Sequence, residues 1–278
     1  MKRFRPICGF VFLIFLSSSP AQNTSQMRPV VLGTGSSSLV NKLDPVALLK
    51  HGQGDTMVNF ITVVSELGDT RAYYTRIYGG MPESKFLTEE LIGKIDRAIF
   101  HPALYRGTPQ ATVVFGTVVF FVRDGKPHLR IFLNQEMDEL KRGSDFISPQ
   151  LVLLPGTKFK GIDYPLKGGG ASGNVAVRMD IDATGRITGK KLLHESPAGR
   201  GFGAQVMSQI GDATFLPAYR NGKPVSCSFT MPMIFKGVGG RQWKANLKGV
   251  ESSALSRAPG AYRALVDSPG YSSKFLIQ

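Results

Sequence analysis

From Asn174 to Asp182, apolar Val175, Val177, Met179 and Ile181 alternate with partly polar neighbours, the period of a half-buried strand. Ala183-Thr184-Gly185-Arg186 then turns the chain into a second predicted strand, Ile187 to His194. Val206, Ile210 and Ala213 recur at helical spacing and predict a short helix. Phe215-Leu216-Pro217-Ala218 leaves it, Asn221-Gly222-Lys223-Pro224 turns, and Val225 to Phe235 predicts a third strand. The same order stands upstream. Val58 to Val64 reads as a strand, Glu66-Leu67-Gly68-Asp69 as a turn, and Arg71 to Tyr78 as a second strand broken by Gly79-Gly80. Thr88 is placed to cap a helix carrying Leu91, Ile95, Ala98 and Ile99, with Glu89 and Glu90 near its positive end. Pro102 ends it, and a strand follows from Thr112 to Val122.

The two runs are copies. Phe100-His101-Pro102-Ala103 and Gly107-Thr108-Pro109 return 115 residues later as Phe215-Leu216-Pro217-Ala218 and Gly222-Lys223-Pro224. Upstream, Val58 and Gly68 meet Val175 and Gly185 at an offset of 117, so two residues are missing from one connector. A fixed offset across a strand-turn-strand-helix-strand pattern predicts an α+β chain of two tandem β-β-α-β modules, residues 43–135 and 161–236. The copies differ at their ends. Asp124-Gly125 is a strong hairpin signal and gives module one an extra C-terminal strand, Leu129 to Asn134. In module two, Gly237, Gly239 and Gly240 stop the chain with no partner strand in sight.

The remaining segments read differently. Lys2, Arg3 and Arg5 precede an apolar run from Ile7 to Leu16, and Ser19 and Ala21 stand at −3 and −1 before Gln22. Residues 1–21 thus have the form of a secretory signal peptide. The run is short of the roughly 20 residues a spanning helix needs; the alternative is an uncleaved anchor in the inner membrane. Residues 22–42, rich in Ser, Thr, Gly and Gln, read as a flexible leader, and 136–160 as a linker. Residues 237–278, basic and rich in Gly, Ser and Ala, read as a largely disordered tail. After cleavage Cys227 stands alone, so no intramolecular disulfide is available and each module must hold itself by its apolar core. The net charge of +14 favours acidic partners, but it is spread without long runs, and export argues against nucleic acid.

Tyr164-Pro165, the glycine-rich connector, Asp182 to Arg186, Phe215-Leu216-Pro217-Ala218, Asn221-Gly222-Lys223-Pro224 and Met233-Ile234-Phe235 come in an order that resembles the C-terminal domain of the TonB family. The resemblance covers about residues 162–236. It extends to residues 44–122, where Asp44-Pro45 replaces Tyr-Pro. It implies a helix packed on a small antiparallel sheet, and a last strand that receives an outer-membrane receptor segment, the TonB box. The partner-binding edge would be Ser226, Cys227, Ser228, Phe229, Thr230, Met231, Met233, Ile234 and Phe235, with Pro232 interrupting the ladder. Module one, its edge already filled, would be structural. Family members exchange strands, so a homodimer is a further expectation. Transducers of this family carry an uncleaved anchor, which meets the ExbB–ExbD motor, and a long proline-rich spacer. Here residues 22–42 contain only Pro29, so the motor partnership is expected only if the N-terminal segment stays uncleaved.

No catalytic constellation stands out. His51, His101, His128 and His194 lack metal-ligand spacing, and the glycine clusters at 168–170 and 199–203 lack the phosphate-loop Lys. A Cys227–His194 pair is the one conceivable nucleophile. The expectation is a periplasmic protein-binding protein, not an enzyme, without a cofactor. The competing reading is an envelope protein that binds an acidic polymer or anionic lipid through its basic loops and tail.

Overall fold

The computed structural model describes residues 26–70, 75–134, 146–159, 161–235 and 237. The signal segment, residues 1–21, and nearly all of the tail lie outside them. The chain opens with β1 (Val31–Leu32), two short helices α1 (Leu39–Lys42) and α2 (Pro45–Lys50), and β2 (Thr56–Val64). Next come β3 (Arg76–Gly80), α3 (Lys85–Ile95), β4 (Phe100–His101), the β5–β6 hairpin (Ala103–Tyr105, Thr108–Gln110), and β7 (Thr112–Arg123) with β8 (Lys126–Leu133). After β9 (Phe146–Ile147) and β10 (Gln150–Val152), module two contributes β11 (Gly173–Ile181), β12 (Ile187–Ser196) and α4 (Phe202–Gln209). It ends in β13 (Thr214–Leu216), the β14–β15 hairpin (Ala218–Arg220, Lys223–Val225) and β16 (Cys227–Phe235).

Both modules run strand, strand, helix, strand, and the physical core of each is a helix laid on a sheet. Leu87, Leu91 and Ile95 of α3, spaced by four, are fully buried against Val58, Phe60 and Val118. Phe202 and Val206 of α4, with Ile210 in the turn beyond it, do the same against Val175, Val177 and Met179. Sealing either side chain layer from water is worth about 1.5–3 kcal/mol for each large residue. The helix starts are capped from a distance. Gln53 Oε1 accepts from the Leu87 N–H at 2.9 Å, and Glu195 Oε1 accepts from the Phe202 N–H at 3.0 Å. That is why α3 starts at Lys85, ahead of the predicted Thr88 cap: the capping group comes from 34 residues away in sequence. Strand β3 likewise runs through Gly79 and Gly80, whose partners are Asn59 and Val58; residues 71–74 of the predicted strand lie outside the described ones.

The extra strand of module one is present as β8, paired with β7 from Gly116↔Leu133 to Arg123↔Lys126 through the Asp124-Gly125 turn. Both turn residues have positive φ, as a two-residue hairpin requires.

The leader and linker depart from expectation. Val31 and Leu32 of β1 pair with His101 and Phe100, and Leu151 and Gln150 of β10 pair with Phe215 and Leu216. Each module is therefore strapped by a segment preceding it. The physical reason is apolar content that the polar composition of the neighbourhood masks: Val30 to Leu32 are at most 7% exposed, and so are Phe146, Ile147, Leu151 and Val152. Val152 also pairs with Thr112, so β10 joins β13 of module two to the sheet of module one, in the order β13-β10-β7-β2-β3 with β8 beside β7. Alternate side chains of this strap reach different cores, Leu151 that of module two and Val152 that of module one.

A buried polar tether fixes the straps to each other. Gln150 Oε1 accepts from the Val30 N–H at 2.8 Å, and its Nε2 donates to Val30 O at 3.4 Å and to Asn134 Oδ1 at 3.3 Å. Asn134 in turn joins β7 by accepting from the Phe115 N–H. Gln150→Leu leaves a buried N–H without an acceptor. The expected loss is about 1–3 kcal/mol in urea denaturation.

Candidate functional site

Strand β16 lies at one edge of the three-stranded sheet β12-β11-β16. It pairs antiparallel with β11 over nine consecutive residues, from Gly173↔Phe235 to Ile181↔Cys227, without a register shift. Phe229, Met231, Met233 and Phe235 face the core. There the Phe235 ring lies 4.8 Å from that of Phe202 and 6.3 Å from that of Tyr164. This packing fixes the strand from its inner face. Ser228, Thr230, Pro232 and Ile234 face the other way.

The expected site residues are thus placed together with one correction. Ser226 is not in the strand. It sits in a break, because Lys223–Val225 belongs to β15 and pairs with β14 in a separate small sheet that also contains β9. Pro232 leaves the pairing with β11 unbroken: it stands opposite Ala176 within the continuous register. Antiparallel residues alternate between bonding their partner and pointing away from it, and proline fits where its missing N–H would point away. The outward positions are then Ser228, Thr230, Pro232 and Ile234.

Two residues escaped the sequence reading. The Ser228 hydroxyl is hydrogen-bonded to the Asp180 carboxylate, and Arg178 Nη2 donates to Ser228 Oγ at 3.1 Å. Arg178 and Asp180 lie on β11, opposite Thr230 and Ser228. Only the cross-strand register brings them there. Alternation on β11 marked both as outward-facing, but nothing local assigned them a partner.

The β11–β12 turn, at the end of the sheet where β16 begins, is held by Asp182. Its Oδ1 accepts from the N–H and hydroxyl of Thr184 and from the Arg186 N–H. Partial burial pushes its carboxyl up. The hydrogen bonds from Thr184 and Arg186, with the nearby Arg186 charge, more than offset this and hold it below the ordinary value.

The conceivable Cys227–His194 pair is not assembled. Cys227 stands opposite Ile181 and His194 opposite Ala176, at different heights on β11 and on opposite faces. Among the described residues no group of three or more His, Cys, Asp and Glu side chains could hold a metal. No helix among them is long and apolar enough to cross a membrane.

A helix on a small antiparallel sheet with a long last strand at its edge is the arrangement implied by the motif order, and the family comparison agrees. Residues 166–236 match the family described as the C-terminal region of the Gram-negative bacterial TonB protein. They are a TonB C-terminal domain. The match begins at Leu166, just after Tyr164-Pro165, and ends one residue past β16. No curated protein matches the chain. Over these residues the chain is similar to TonB-like envelope proteins.

Proposed function

We propose that the TonB C-terminal domain captures an extended segment of a protein partner by strand addition along β16, in the service of TonB-dependent outer-membrane transport. One contrast carries the reading. Strand β7 of module one is flanked by β2 on one side and β8 on the other, whereas β16 is flanked by β11 alone among the described residues. An edge of this kind offers N–H and C=O groups that an extended peptide can satisfy. The fitting partner is an outer-membrane receptor segment of the TonB-box kind or another envelope protein with an extended stretch. A second copy of this chain could use the same edge.

Module one is, on this reading, a second copy of the same domain with a structural role. Its repeated element order supports this, with β8 where a partner strand would lie. The protein works in the periplasm by binding, without catalysis or cofactor. The form of residues 1–21 supports export, and a partnership with ExbB–ExbD follows only if that segment remains as an anchor.

Amide chemical shifts of the full chain, titrated with a synthetic receptor segment, test the proposal. Shifts should concentrate in residues 227–235. Shifts confined to module one, or none at saturating peptide, would overturn it.

A further inference from the structure

A cleft of about 700 Å³ opens where the two modules meet. The leader lines it with Met27, module one with Tyr105 and Arg106, and module two with Arg186, Ile187 and Ala213. The apolar members are half-buried walls, and the two arginines are exposed at the site. The Arg106 guanidinium lies over the Tyr105 ring, 5.3 Å from its centre. Among the described residues Arg106 forms no ion pair with a carboxylate, while the Arg186 charge acts on Asp182. Asp182, near Arg186, directs its Oδ1 into its own turn. Lys190 adds a further positive charge. Its Nζ donates to the Met207 carbonyl and would lie 3.1 Å from a Cβ on Gly211, which borders the cleft.

The turns themselves do not require these arginines. By the repeat, Arg186 corresponds to Asp69 and Arg106 to Asn221, and neither counterpart borders the cleft. Arg106 and Asn221 both occupy the left-handed region, at φ 52° and 50°. Asn is at ease there and Arg is not. Arginine thus replaces the conformationally better residue in the one copy that faces the cleft. Guanidinium groups bind carboxylate and phosphate oxygens through paired N–H donors.

We propose that this inter-module cleft binds a small dianion, with two phosphate or carboxylate groups held by Arg106 and Arg186 and its body against Tyr105 and Met27. The site is independent of the β16 edge and would serve either a free anion or a lipid-borne one. Calorimetric titration of the full chain with pyrophosphate, and sedimentation with vesicles containing cardiolipin, whose headgroup carries two phosphates, test it. The double variant Arg106→Asn/Arg186→Gln takes the other copy's residue at the strained turn, so its fold should be kept. It should weaken binding about tenfold or more. Lys50→Gln/Arg97→Gln removes the same charge at exposed positions of module one away from the cleft, and should change binding by less than about twofold. Loss with pyrophosphate assigns a free anion, and loss with vesicles alone a membrane-borne one. Equal losses in the two double variants would assign binding to net charge and overturn the proposal. So would no loss in either assay.

Discussion

Proline at Thr230 is expected to abolish capture of the partner segment while leaving the TonB C-terminal domain folded. The argument runs from Pro232. That residue sits in an unbroken nine-residue ladder opposite Ala176, which places its nitrogen on the side away from β11. Positions two residues away share the orientation, so the N–H groups of Ser228, Thr230 and Ile234 point to the open edge. A proline at 230 removes an outward donor without removing a bond to β11. With Pro232 it leaves two successive outward positions unable to donate, and its ring stands where a partner backbone must approach. Peptide affinity should fall below detection in calorimetry, with fold stability changed by about 1 kcal/mol or less. Ser228→Pro should have the same effect on binding, but it also removes the hydroxyl that meets Asp180 and Arg178, so Thr230 is the cleaner position. Met231→Pro is the contrasting case. Its N–H points to β11 and its side chain is buried, so that variant should lose the fold itself. Lys223→Ala, in the separate β14–β15 hairpin, should leave binding unchanged. Equal binding by wild type and Thr230→Pro would rule out strand addition.

The strands and helices of both modules were legible because their apolar residues recur at short periods, and the hairpin to β8 because Asp-Gly is a local signal. The edge strand was legible for the same reason, together with its motif order. What was not legible acts at long range. Gln53, Glu195, Asn134 and Gln150 are polar residues without periodicity, and Gln150 meets Val30 across 120 positions. The straps were hidden by their surroundings. Val30 to Leu32 form too short an apolar run to outweigh the Ser and Gly around them, until Phe100 supplies the partner backbone. Which neighbour of β16 loses a donor at Pro232 was not legible either, because a residue's place in the alternating ladder depends on register, and register is set by the whole of β11.

Gly185→Ala is expected to be among the most damaging single substitutions in the domain, at about 3–5 kcal/mol by urea denaturation. Two effects combine. Gly185 has φ 84°, where any side chain costs about 1–2 kcal/mol. A Cβ there would also stand 2.0 Å from the Phe215 carbonyl oxygen, and this is backbone that cannot rotate aside. Gly222→Ala separates the two. That glycine has φ 77° with nothing within 4 Å of the added carbon, so only the first cost applies. Gly68 repeats the arrangement in module one, at φ 87° and 2.2 Å from the Phe100 carbonyl, and Gly68→Ala should match Gly185→Ala. The pairing explains the repeat as well. Gly68 and Phe100 are two residues further apart in sequence than Gly185 and Phe215, yet the glycine meets the same carbonyl in both copies. The connector length can drift because it only has to reach, whereas the turn must let a carbonyl pass where a side chain would be. If Gly185→Ala and Gly222→Ala lost the same stability, the close approach would carry no weight and the repeated Gly and Phe-x-Pro-Ala pairing would need another cause.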